Sequence, residues 1–187
     1  MIWPVFLAAL WLMLGLDMGL RGQLQLGPFA APSLTLVLVT YVAMWAPKLH
    51  AIYAAMIAGI CLDLLGTYLS PGSTQGITAV GPYALGTVLG AFTVITARAM
   101  VERDNLLALP TMSVVLAGLT HLVLVFCLSV RSVYDPMMTF ESITELSWRG
   151  FSALATGIAA IPLFVVLRLC SRFFGFSPHY GRRLRHW

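Results

Sequence analysis

Two carboxylates and one imidazole stand inside otherwise apolar stretches of this chain: Asp17 within residues 2–20, Asp63 within 51–69 and His121 within 106–130. An acid at mid-membrane costs about 2.5–3.5 kcal/mol on insertion scales, so each such group must turn inward and find a partner. Counting along alternate runs at ~1.5 Å per helical residue puts the three within about 5 Å of one another in height, in the outer half of a bundle. A layer of this kind could serve as a proton relay, a ligand pocket, or a pair of aspartates sharing a proton. The structural alternative pairs Asp17 with Arg21 one turn later. It has Asp63 hydrogen-bonded or protonated among neighbouring helices, and His121 bonded to a Ser or Thr across the bundle. The structural alternative is the expectation, with Asp63 anchoring inter-helix packing.

Other chemistry finds no footing. There is no Gly-x-Ser-x-Gly elbow, no His-Glu-x-x-His pair and no phosphate-cradling glycine loop. The four histidines, His50, His121, His179 and His186, are scattered, and Cys61, Cys127 and Cys170 lack the close spacing of a metal site. No catalytic residue, cofactor or metal is expected, nor binding to nucleic acid.

The elements that must position the polar layer follow from composition. Of 187 residues, 59% are hydrophobic and 10% are charged, against roughly 25% charged in soluble domains. Disorder is excluded by the same apolar content. Six apolar runs, at 2–20, 29–46, 51–69, 77–97, 106–130 and 150–167, approach the ~20 residues that a membrane helix needs. The expected fold is therefore an all-α, polytopic bundle of six transmembrane helices over residues 1–170, followed by a tail at 171–187. The first run lacks a basic leader and a small-residue exit, so it reads as a retained anchor. Pro47-Lys48-Leu49-His50 makes a tight antiparallel connection, and Pro162 interrupts the sixth run.

Lys and Arg stay on the cytoplasmic side. Placing both termini there puts Lys48, Arg98, Arg103, Arg168, Arg172, Arg182, Arg183 and Arg185 inside, and leaves Arg21, Arg131 and Arg149 outside. The tail interleaves Arg172, Arg182, Arg183 and Arg185 with Phe173, Phe174, Phe176, Tyr180 and Trp187. That pattern fits an interfacial anchor on anionic lipid. In the outer loop, Asp135-Pro136 and Ser142-x-x-Glu145 read as helix-start signals, the latter as a capping box for the sixth span.

Small residues line single faces of several spans: Ala55, Gly59, Asp63 and Gly66; Gly86, Gly90, Thr93 and Ala97; Gly150, Ala153, Gly157 and Ala160. Such faces let helix backbones approach closely in lipid. Packing within one bundle is the expected use, and a homo-dimer seam through Gly15-x-x-x-Gly19 or Gly86-x-x-x-Gly90 is the alternative. The two halves of the chain share no motif spacing that would mark an internal duplication.

Pro32-Ser33-Leu34, a Leu/Val-rich span with Tyr41, and Gly59-Ile60-Cys61-Leu62-Asp63-Leu64-Leu65-Gly66 together resemble the bacterial rod shape-determining protein MreD family. Gly81-Pro82-Tyr83-Ala84-Leu85 is similar to that family's following Gly-x-x-Ala-Leu. The likeness covers residues 30–95 by motif and the whole chain by length, span count and basic tail. The chain departs from the pattern in a longer 67–80 connection and in Ser33, where an acid is common. The resemblance implies a non-enzymatic scaffold of the cell-elongation, peptidoglycan-synthesising machinery in the bacterial cytoplasmic membrane. Its implied partners are MreC, the filament protein MreB, RodA and a penicillin-binding transpeptidase. Pro32, Gly59, Asp63 and Gly66 carry over as structural positions. The family is also similar in fold to the vitamin-binding S components of energy-coupling transporters, which makes a substrate-binding transporter subunit the alternative function.

Overall fold

The computed structural model describes residues 1–24, 31–66, 68–69, 76–77, 80–101, 105, 107–134 and 142–175. Six helices follow one another: α1 (Trp3–Leu24), α2 (Leu34–Trp45), α3 (Lys48–Leu65), α4 (Pro82–Ala97), α5 (Ala108–Tyr134) and α6 (Ser142–Cys170). Between α3 and α4 a minimal antiparallel hairpin pairs β1 (Tyr68–Leu69) with β2 (Gly76–Ile77), with Tyr68 opposite Ile77. Helices α1, α3, α5 and α6 are long and apolar enough to cross a membrane, which is compatible with a multi-pass membrane protein.

The other two helices are shorter than the apolar runs that contain them. Helix α2 has 12 residues and α4 has 16, or about 18 Å and 24 Å at ~1.5 Å per residue, short of a hydrocarbon core of ~30 Å. Their starts fall five residues inside the runs expected at 29–46 and 77–97. Ser33 sets the first start: it is the N-cap of α2, and its hydroxyl accepts a bond from the Leu36 N–H. Gly81 sets the second, because its φ of 125° turns the chain into Pro82 at the head of α4. Leu69 and Ile77, expected at the ends of two spans, lie in the hairpin instead. Helix α6 begins at Ser142, well before residue 150, and runs through Pro162. The Ser142 side chain, expected to form a capping box there, lies outside the described residues, and Glu145 pairs with Arg149 one turn on, at 3.1 Å. Asp135-Pro136 lies outside the described residues.

Helix α2 is the core of the bundle. Every residue from Leu34 to Met44 is buried, and the helix touches each of the other five. A helix apolar on all sides has no face to offer water, so it is stable only when wrapped. Around it the chain runs alternately up and down, α2 and α3 being joined through Ala46 and Pro47. Gly86 and Gly90 of α4 face Thr120 and Leu116 of α5, and Gly157 of α6 faces Val114 and Pro110 of α5. A Cβ at Gly86 would lie 2.9 Å from Thr120 backbone atoms, so these glycines are what lets the helix backbones meet. This close approach within one chain takes up the Gly86-x-x-x-Gly90 face that could have served a dimer.

The end of α2 is held from a distance. Arg98 Nη1 donates to the carbonyls of Ala43 at 2.9 Å and Ala46 at 2.7 Å, serving acceptors that the last helical turn leaves without amide partners. Arg98→Ala is expected to lower unfolding stability by about 1–3 kcal/mol, the range for hydrogen bonds to a charged group. Thermal unfolding in detergent checks this, with Arg98→Lys recovering part of the loss. At the same end Ile2 N–H bonds the Phe174 carbonyl at 3.2 Å, and buried Phe174 packs edge-on against Tyr41. The start of α1 and the turn after α6 therefore share one end of the bundle. Arg172 lies in that turn, whereas Arg182, Arg183 and Arg185 lie outside the described residues.

A candidate functional site at the heads of two short helices

Asp17 and Asp63 sit at the opposite end, and each closes the N-terminus of the helix that follows its own. Asp17 Oδ1 accepts the Leu34 N–H at 2.6 Å, and Oδ2 accepts the Thr35 N–H at 3.0 Å and the Thr35 hydroxyl at 2.6 Å. The Ser33 hydroxyl adds a fourth bond to Oδ2 at 3.2 Å. Asp63, fully buried, does the same for α4: Oδ2 accepts the N–H of Gly81 at 2.8 Å and Ala84 at 3.1 Å, and Oδ1 that of Tyr83 at 2.9 Å. The first amides of a helix have no intrahelical acceptor and carry its positive dipole end, so a carboxylate is the matching group.

Asp17 is thus held by four donors converging at the head of a buried helix. The side chain of Arg21, the partner expected for Asp17, lies outside the described residues. Asp63 meets its expectation in kind, as an inter-helix anchor, and the particular anchor is α4. The device occurs twice, in α1 with α2 and in α3 with α4, a repetition that motif spacing did not reveal. Its trace in the sequence is a capping signal 16 to 18 residues after each acid: Ser33 beyond Asp17 and Gly81-Pro82 beyond Asp63.

The remaining motif positions serve the same joints. Gly59 lies against Thr87 and the backbone of Ala84, and Gly66 ends α3 by bonding the Leu62 carbonyl at 2.9 Å. Pro32 immediately precedes the Ser33 cap. Helix α6 secures that entry, since Thr156 Oγ1 accepts the Ser33 N–H at 3.0 Å and the Ser152 hydroxyl donates to the Ala31 carbonyl.

No family model, curated protein or solved structure matches this chain significantly. What the layer can do is accordingly read from its own geometry. The two carboxylates are not brought together: each accepts from its own helix head, which occupies the oxygens a proton-sharing dyad would need. Among the described residues no cluster of three metal-ligating side chains exists.

His121 departs from expectation. It is 6% exposed, and neither ring nitrogen has a hydrogen-bond partner among the described residues. The Thr120 hydroxyl donates to the Leu116 carbonyl and the Ser152 hydroxyl to that of Ala31, and neither bonds the imidazole. The imidazole instead meets the Tyr83 ring edge-on, with centroids 6.4 Å apart. His121 thereby joins the Asp63 cluster through Tyr83, while Asp17 belongs to a second cluster with α2 and α6.

Helices α5 and α6 extend past the heads of the two short helices. Gly86 is level with Thr120, and α4 starts four residues from Gly86, whereas α5 continues fourteen residues to Tyr134. Helix α5 thus rises about 15 Å past the head of α4 at ~1.5 Å per residue. From Thr156, level with the head of α2, α6 reaches back fourteen residues to Ser142, about 21 Å by the same rise.

Proposed function

We propose that the chain is a six-crossing protein of the bacterial cytoplasmic membrane with both termini inside, and that it acts as a non-enzymatic scaffold of the rod-shape machinery, as its resemblance to MreD implies. Lys48, Arg98, Arg168 and Arg172 at the end bearing the termini agree with that orientation. The basic tail then rests on anionic lipid of the inner leaflet. The layer of acids builds the scaffold, and the outward helix faces bind its partners.

One observation carries the reading. Gly59, Gly86, Gly90 and Gly157 are each in close contact inside the bundle, whereas a Cβ at Gly15, Gly19 or Gly22 of α1 would meet no atom within 4 Å. These three glycines and exposed Trp11 form a ridge on the helix that, among the described helices, touches α2 and α3 alone. A Gly-x-x-x-Gly ridge suits the close approach of a second membrane helix, and the single membrane anchor of MreC is the partner we assign to it. MreB, RodA and the penicillin-binding transpeptidase would join through that pair.

The test is co-purification with MreC from native membranes in mild detergent. Wild-type protein should retain MreC, and the Gly15→Leu/Gly19→Leu double variant should lose it at least tenfold while unfolding at the wild-type temperature. Loss of self-association, with MreC retained, would assign the ridge to a homo-dimer. Failure of the folded wild-type chain to retain folded MreC would overturn the scaffold reading.

A further inference from the structure

Helix α1 is held to the bundle differently from the rest. Gly59, Gly86, Gly90 and Gly157 draw α3, α4, α5 and α6 into close backbone contact, whereas α1 meets α2 and α3 alone among the described helices. It packs through Phe6, Leu10, Met13 and Leu14, all buried, while a Cβ at its own Gly15, Gly19 or Gly22 would meet no atom within 4 Å. Large side chains keep helix axes apart, and in lipid no hydrophobic drive presses such a helix inward. The side chains of α2 at 36–39 and 42–44 are all apolar, so acyl chains could replace α1 against them at little cost. Polar ties at its two ends are then what fixes α1 in place.

The outer tie is Asp17, with its four bonds to the head of α2. The inner tie comes from the turn after α6. There the N–H groups of Ser171, Phe173 and Gly175 bond the carbonyls three residues back, at 3.2, 2.9 and 3.3 Å, and Gly175 closes the turn at a φ of 70°. The turn carries Phe174 inward, 2% exposed and edge-on to Tyr41, while Phe173 beside it is 67% exposed. The Phe174 carbonyl accepts the Ile2 N–H at 3.2 Å, and the Ile2 carbonyl accepts the Phe6 N–H, which joins the turn to the foot of α1. Trp3 adds a ring contact with His50 of α3, at 5.9 Å between centroids. The inner tie is thus one backbone bond and buried or stacked rings, against four bonds to a carboxylate at the outer end.

We propose that α1 is a hinged arm, pivoting at Asp17 and caught at its foot by residues 171–175, which act as a releasable strap. Release of the strap uncovers one flank of α2 while α2 to α6 stay assembled. This goes beyond the scaffold reading and does not depend on it, because the motion is measured on the isolated chain.

The test is dipolar spectroscopy on the full chain in lipid nanodiscs, with Cys61, Cys127 and Cys170 replaced by alanine. Spin labels at Leu7→Cys of α1 and Tyr53→Cys of α3, both exposed positions, report the foot of the arm. Leu7 stands ten residues from the pivot, a lever of about 15 Å. Labels at Phe92→Cys of α4 and Leu122→Cys of α5, also exposed, report the bundle. With the strap intact the arm pair should give one narrow distance. Phe174→Ala should add a second population, longer by several ångströms, while the bundle pair keeps its distance. Gly175→Ala should do the same by another route, since its methyl would meet Ile2 Cγ1 at 3.3 Å on a backbone that disfavours any side chain. Phe174→Leu, which keeps an apolar plug, should retain mostly the single distance. A single unchanged arm distance in both alanine variants would overturn the proposal, because α1 would then be held along its length. Broadening of the bundle pair together with the arm pair would overturn it as well, by making the turn a part of the common core.

Discussion

Asp63→Ala should be among the most damaging single substitutions in this protein. It removes three bonds to the amides of Gly81, Tyr83 and Ala84 at once and leaves those donors at a fully buried position. An exposed N-cap is worth about 1 kcal/mol. Here three buried donors lose their acceptor together and solvent cannot replace it, so the expected loss is about 3–5 kcal/mol. For a chain of this size that corresponds to a fall of roughly 10 °C or more in unfolding temperature. Asp63→Asn keeps one acceptor oxygen and should fall between wild type and alanine. A wild-type melting curve for Asp63→Ala would refute the capping role and, with it, the account of why α4 starts at Pro82.

Gly59→Ala should cost nearly as much by an unrelated route. The added methyl would run into the Thr87 hydroxyl and lie 2.5 Å from Ala84 Cα, so the backbones of α3 and α4 would have to separate. Overpacking of this kind typically costs 1–3 kcal/mol, and because backbone atoms are involved we expect about 3 kcal/mol. Separation would also lengthen the bonds from Asp63, so Gly59→Ala and Asp63→Ala should combine to less than the sum of their single effects. Gly15→Ala, where nothing lies within 4 Å, should leave stability unchanged. Parallel melting curves of the three variants distinguish a packing glycine from a surface one.

Much of the architecture was legible because lipid-compatible helices need long apolar runs, and the helices of this chain lie within or overlap those runs. The helix starts were not. A hydropathy run cannot show that α2 starts at Leu34 and α4 at Pro82, because the feature that fixes each start is a carboxylate 16 to 18 residues before the capping residue. Asp17 and Asp63 stood out as residues needing partners, yet five of the seven bonds they accept come from backbone amides, which a search for complementary side chains does not consider. For His121 the expectation of a Ser or Thr partner failed: the Thr120 and Ser152 hydroxyls donate to backbone carbonyls, and neither meets the imidazole. Gly59 and Gly157 were readable as packing positions from helical spacing alone. That Gly150, on the same stripe as Gly157, lies on the exposed face of α6 is something spacing does not encode.

The double clamp on α2 has a consequence for how the chain is made. This helix is too short to cross a bilayer by itself, and its two ends depend on Asp17, which is synthesised before it, and on Arg98, which is synthesised 52 residues after Ala46. While the ribosome is still translating α3 and α4, the first hairpin has its head secured and its foot loose. The innermost piece of the finished molecule is therefore held at both ends only once the chain has been made through the fourth helix to Arg98.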